Sequence, residues 1–149
     1  MEVVLLIGLQ ASGKSTFCKQ KLFDSHVRLN LDMLKTRHRE KRLMEMCLET
    51  GQAFVIDNTN PTRQDRQRYI EPAKSSGFRV VGYYFQSHID DCKRRNDQRA
   101  DDRIVPLPGL LGTYGRLELP SLDEEFDELH YVKVTEDGIF VVEEWSDEV

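Results

Sequence analysis

Gly8-Leu9-Gln10-Ala11-Ser12-Gly13-Lys14-Ser15 follows the phosphate-binding pattern Gly-x-x-x-x-Gly-Lys-Ser/Thr. Both flanks supply the context such a loop needs. Before it, residues 3–7 form an unbroken apolar run, as in a central parallel strand covered on both faces. After it, residues 16–23 have helical spacing, with Phe17, Cys18 and Leu22 on one side. In such a strand–loop–helix unit the glycines let backbone N–H groups and the helix N-terminus face a polyanion. Lys14 adds a mobile charge for the β- and γ-phosphates, and the Ser15 hydroxyl can ligate Mg²⁺. Gly8, Gln10, Ala11, Ser12, Gly13, Lys14, Ser15 and Thr16 are therefore the expected site for ATP, or another nucleoside triphosphate, with Mg²⁺.

The chain of 149 residues is long enough for a core without metal or disulfide support and reads as a single domain, residues 1–149. Its three cysteines are widely spaced and form no Cys-x-x-Cys, so they read as reduced thiols, and the histidines show no ligand spacing. No apolar run is long enough to span a membrane, and the first residues enter a strand at once. The expectation is a soluble cytoplasmic or nuclear protein with no membrane partner. The net charge of −5 averages two unlike parts. Residues 1–116 hold 20 Lys+Arg and 14 Asp+Glu, net +6, whereas residues 117–149 hold 1 and 12, net −11. A basic body keeps a polyanionic partner open, although a merely solubilising charge pattern reads the same way.

Residues 27–31 alternate like a short second strand and deliver Asp32 to a helix expected to run to Thr50, with Gly51 ending it. A carboxylate at that strand end could take a proton from an attacking hydroxyl, or could simply cap the helix. Lys35 lies one turn on and Arg37 beyond it, where they could meet phosphates of an acceptor. Residues 53–57 make a third strand ending in Asp57, where a carboxylate near Mg²⁺ would sit. Asn58-Thr59-Asn60-Pro61 then turns the chain, with Asn60 expected to cap the next helix. After a fourth strand over 78–85, a helix from Ile89 carries Arg95 and Arg99 at i and i+4, a pair that could grip phosphate oxygens as a lid. A short helix is expected at 110–114. Ser121 and Glu124 have capping-box spacing, and residues 131–142 read as a hairpin turned by Asp137-Gly138, with no catalytic signature.

Taken together, GLQASGKST, the Asn30-Leu31-Asp32 step, VIDNTNP, RRNDQR and Val105-Pro106 resemble the kinase domain of the polynucleotide 5′-hydroxyl kinases. The likeness runs over residues 3 to 130. It implies a P-loop kinase fold with a central, mainly parallel sheet, a helical lid and transfer of phosphate from ATP to a 5′-hydroxyl end of DNA or RNA, with a separate phosphatase or ligase as a conceivable partner. By that resemblance Asp32 is the general base, Arg95 and Arg99 hold the ATP phosphates, and Asp57 and Asn58 orient the acceptor side, Asp57 also serving the metal. The phage member of that family has an arginine where Lys35 stands, and a lysine keeps the charge but loses the fork. A kinase of nucleosides or sugars, or a nucleotide switch without an acceptor, shares the same loop. The sequence leaves nucleic-acid preference and oligomeric state open.

Overall fold

The structure, a computed structural model, describes residues 1–146. Its frame is a six-stranded sheet in the order β2-β3-β1-β4-β5-β6. The strands are β1 (Glu2–Ile7), β2 (Val27–Leu29), β3 (Phe54–Asp57), β4 (Arg79–Phe85), β5 (Glu128–Val134) and β6 (Phe140–Glu144). The first five pair in parallel and only β6 runs antiparallel, against β5. β1 lies between β3 and β4, and its side chains are buried from Val3 to Ile7, which is why it reads as an unbroken apolar run.

Each face of the sheet has its own core. Val3, Leu5 and Ile7 pack with Met44, Tyr69, Ile70 and Phe78, beneath α3 (Arg37–Thr50) and α4 (Arg63–Ser75). Val4 and Leu6 face the other way, with Phe17 and Cys18 of α1 (Lys14–Lys21), Leu22 just after it, and with Phe85 and Val132. A third, smaller cluster joins Leu9, Cys92 and Leu110, fastening α5 (Ile89–Asp97) and α6 (Leu107–Arg116) beside the phosphate loop. Among the described residues no helix is long and apolar enough to cross a membrane.

Several expectations are corrected. The helix foreseen over 32–50 is two helices: α2 (Leu31–Leu34) stops where Lys35 takes a φ of 74°, and Thr36 then caps α3 by accepting the Arg39 N–H. A lysine in the left-handed region is strained, and the one local sign of the break is Thr36, a weak helix former that suits a cap. β2 ends at Leu29, two residues early, because Asn30 becomes the cap of α2 and accepts the Met33 N–H. Asp32 is thus inside the first turn and is not the cap. Asn60 does not cap α4 either; Thr62 does, while Asn60 sits at φ 47° and its side chain donates to the Leu6 carbonyl.

Helix α6 starts at Leu107 rather than 110, because Pro108 fits its first turn. α5 ends at Asp97, so Arg99 lies beyond the helix that carries Arg95. The capping box of Ser121 and Glu124 is present on a single 3₁₀ turn, Leu122–Glu124. Finally, the hairpin begins earlier than residue 131 and ends later than residue 142. Its first strand starts at Glu128 and pairs with β4, which extends the central sheet; the last three residues of the acidic tail lie outside the described residues.

Candidate functional site

Parallel strands end together, so the residues that follow β1, β2, β3 and β4 gather along one edge. The loop after β1 is the phosphate loop. Gly8 and Gly13 take φ values of 152° and 104°, which frees the backbone to wrap around a polyanion. The loop is anchored from three sides. The Leu9 N–H donates to Ser87 Oγ after β4, the Gly8 N–H to the Thr59 carbonyl after β3, and Gln10 Nε2 to Thr113 Oγ1 of α6.

Lys14 is buried within this loop. Its ammonium donates to the carbonyls of Gly8 at 2.8 Å and Leu9 at 2.6 Å, folded back over the cradle that phosphates would fill. Burial lowers its pKa to about 8, against the opposing pull of Asp57. Ser15 Oγ donates to Asp57 Oδ2 at 2.9 Å, so these two candidates, 42 residues apart in sequence, meet. Hydroxyl and carboxylate are hard oxygen donors suited to Mg²⁺. Among the described residues no group of three His, Cys, Asp or Glu could hold a metal, so an ion here would need the phosphates of a nucleotide to complete its shell. The donor set fits a metal carried by a nucleotide.

Around Lys14 and Ser15 opens a cleft of about 260 Å³. Arg95 and Arg99 line one side of it, which brings the two arginines expected of a lid together despite the helix ending between them. Desolvation and the neighbouring Arg103 lower the Arg99 pKa, partly offset by the charge of Asp32. Asp32 is therefore in electrostatic reach of the lid, and among the described residues no hydrogen bond engages its carboxylate. Val134, Gly138 and Phe140 line the cleft as well. A Cβ built on Gly13 would stand 3.1 Å from the Phe140 ring and 3.2 Å from Val134, so the hairpin is pressed onto the phosphate loop.

A second cleft, about 160 Å³, lies on the same edge, bounded by Leu31, Arg37, Asn58, Tyr69, Arg68 and Arg116 among others. Behind it is a network built on the buried Glu40. Tyr69 OH donates to Glu40 Oε1 at 2.9 Å, Arg37 Nη1 donates to the same oxygen at 3.0 Å, and Asn58 Nδ2 donates to Glu40 Oε2 at 3.1 Å. Asn58 also accepts the Leu31 N–H, which sets the start of α2 and with it the position of Asp32.

Of the residues singled out from sequence, Asn58 and Arg37 thus fall in this second cleft, and Lys35 lines neither. Among the described residues the Asp57 carboxylate accepts from Ser15 Oγ at the phosphate loop and from Arg28 Nε of β2. Sequence reasoning passed over Arg68, Arg116, Tyr69, Glu40, Arg28 and the hairpin residues. It singled out the Arg-Asn step of α5 as a motif without a role for Asn96; Asn96 is buried and exchanges two hydrogen bonds with the backbone of Val105, which ties the chain after the lid to α5.

Residues 3–108 match the model of the AAA domain family, and the chain belongs to that family of P-loop proteins. Its relatives narrow the class. The chain is 36% identical over 138 residues to a putative bifunctional polynucleotide phosphatase/kinase of Acanthamoeba polyphaga mimivirus, and 27% identical over 135 residues to the bifunctional polynucleotide phosphatase/kinase of Schizosaccharomyces pombe. Each match covers 88% of this chain and 33% of the relative, so the chain spans about a third of the length of either protein. In fold it is similar to Kti12 of Chaetomium thermophilum, solved in complex with ADP-AlF3, with a TM-score of 0.68, 13% identity and 88% of each chain covered. These matches support the polynucleotide kinase resemblance and a P-loop kinase.

Proposed function

We propose that this domain transfers the γ-phosphoryl group of ATP, or of a related nucleoside triphosphate, to the 5′-hydroxyl end of a nucleic acid. One observation carries the acceptor half of the reading. The cleft beside the phosphate loop presents Arg37, Arg68 and Arg116 around Asn58, and Leu31, the neighbour of Asp32, forms part of its wall. Three guanidiniums suit the phosphates of a nucleic-acid strand, held by charge rather than by base identity. Arg37 and its two partners supply the forked contacts that Lys35 lacks.

The donor triphosphate lies in the phosphate loop, with its base toward Val134 and Phe140. The Lys14 ammonium leaves the carbonyls of Gly8 and Leu9 for the phosphates, where its charge is worth more. Bound Mg²⁺, held by Ser15 Oγ with Asp57 behind it, would neutralise charge on the β- and γ-oxygens. Arg95 and Arg99 balance the charge that develops as the γ-phosphoryl moves. Asp32 accepts the proton of the 5′-hydroxyl, its carboxylate being free of hydrogen bonds within the described residues.

The test is transfer of labelled γ-phosphate to DNA and RNA oligonucleotides with 5′-hydroxyl ends. Labelled ends should appear, fall about 10²–10⁴-fold in Asp32→Ala, and vanish in Lys14→Ala. Unlabelled oligonucleotides alongside intact nucleotide binding would remove the nucleic-acid reading. A small hydroxyl acceptor or a nucleotide switch would then take its place, since the fold alone serves both.

A further inference from the structure

Arg28 has no place in the reaction just described, yet it occupies the site at which that reading puts the metal. It projects from β2, the edge strand, onto the face that α1 covers. Its Nε donates to Asp57 Oδ2 at 2.8 Å and its Nη2 to Ser15 Oγ at 3.4 Å, while Ser15 itself donates to the same carboxylate oxygen. A hydroxyl, a carboxylate and a guanidinium thus form a closed triangle. Asp57 is nearly enclosed, whereas Ser15 is exposed and the arginine side chain keeps 37% of its surface exposed and has a way out. On the outer side Nη1 reaches, among the described residues, only the Met33 sulfur, at 3.9 Å, a weak acceptor that would not hold the head in place.

We propose that Arg28 is an internal cation of the metal subsite and sets how much Mg²⁺ the protein needs to take up a nucleotide. The proposal rests on the reading of Ser15 and Asp57 as the metal side of a phosphoryl-transfer site. The Ser15 hydroxyl can keep its hydrogen on Asp57 while a lone pair ligates a metal, so the Ser15–Asp57 bond does not oppose the ion. The Arg28 contacts do: Nη2 claims the Ser15 lone pair, and the charge on Nε cancels the carboxylate that would attract the ion. Free Mg²⁺ must therefore displace one positive charge to gain one hydroxyl and the carboxylate that charge had neutralised. An ion arriving on a triphosphate brings its own anionic ligands and gives the released guanidinium a new neighbour. Arg28 thereby excludes the bare ion and admits the metal–nucleotide complex.

The measurement is Mg²⁺ titration of the binding of a fluorescent ATP analogue at constant ionic strength, with thermal melting in the absence of metal as the check on folding. Arg28→Gln and Arg28→Met, two neutral variants that keep the stem, should each lower the Mg²⁺ concentration at half-saturation about tenfold, the effect of one unit charge a few ångströms from a partly solvated ion. Arg28→Lys keeps the charge and should leave the midpoint within about threefold of the parent. An unchanged or raised midpoint in the neutral variants overturns the role of Arg28 and leaves the metal reading standing. Analogue binding by the parent that ignores Mg²⁺ altogether removes the metal reading, and this proposal with it.

Discussion

Two arginine–carboxylate pairs stand at the two ends of residues 57–60 and differ in almost every respect that matters. At one end Arg66 meets Glu124 through two hydrogen bonds, Nε to Oε1 at 2.8 Å and Nη2 to Oε2 at 3.1 Å, with both side chains wholly buried. Its third nitrogen, Nη1, donates to the Asn60 carbonyl, and Glu124 also accepts the Ser121 N–H. Every charge is matched by geometry, and nothing can leave. At the other end Arg28 makes one good bond to Asp57 and has a solvent route. The first pair fixes the backbone of the turn, including the left-handed Asn60 whose amide is pinned to Leu6. The second leaves a charge that can be exchanged. A buried pair is costly to assemble and costlier to break, which suits a scaffold; a half-exposed one yields to ligand.

The largest test of that contrast is Glu124→Ala. It strands the Arg66 guanidinium in a dry site and should cost about 3–5 kcal/mol of unfolding free energy, read from urea denaturation. Lys14 gives a second test, through pH. Burial holds its pKa near 8, below that of an exposed lysine, so the folded protein loses this proton first as pH rises. Between pH 8 and the unfolded value the unfolded chain binds the extra proton, and the penalty for burying the charge is progressively relieved. Stability gains from this group over that window. Triphosphate affinity moves the opposite way, falling by up to about tenfold per pH unit above pH 8, and Lys14→Ala should flatten the profile. The smallest effect belongs to Arg28→Ala, which should change the stability of the nucleotide-free protein by about 1 kcal/mol or less. A loss on the scale of Glu124→Ala would make the two pairs alike and end the comparison.

What the sequence discloses here follows the range of the interactions involved. The phosphate loop is legible because strand, glycines, lysine and helix are contiguous, and Asp57 because a strand end is a local feature. Asp32 stands at the start of a helix after β2 as expected, but the break at Lys35 is not foreseen. The left-handed residue there is set by how α2 and α3 dock, against local propensity. The Glu40–Tyr69–Arg37–Asn58 network is invisible in a single chain of letters because each member alone is an ordinary helix or turn residue. Arg28 was hidden for the same reason: one arginine in a three-residue strand carries no pattern. The hairpin was recognised from its Asp-Gly turn, but its attachment to β4 by parallel pairing, and so its place over Gly13, depends on residues nearly fifty positions away.

That placement has a consequence for how the protein is made. The cleft needs Lys14 and Phe140 together, one near the start of the chain and the other near the end of the described residues. During synthesis the phosphate loop leaves the ribosome ahead of the hairpin and waits, with Gly13 uncovered, for the last strand of the sheet. Contacts this distant along the chain are slow to close. A nascent chain should therefore be unable to hold a nucleotide as the finished protein does until translation has passed residue 140.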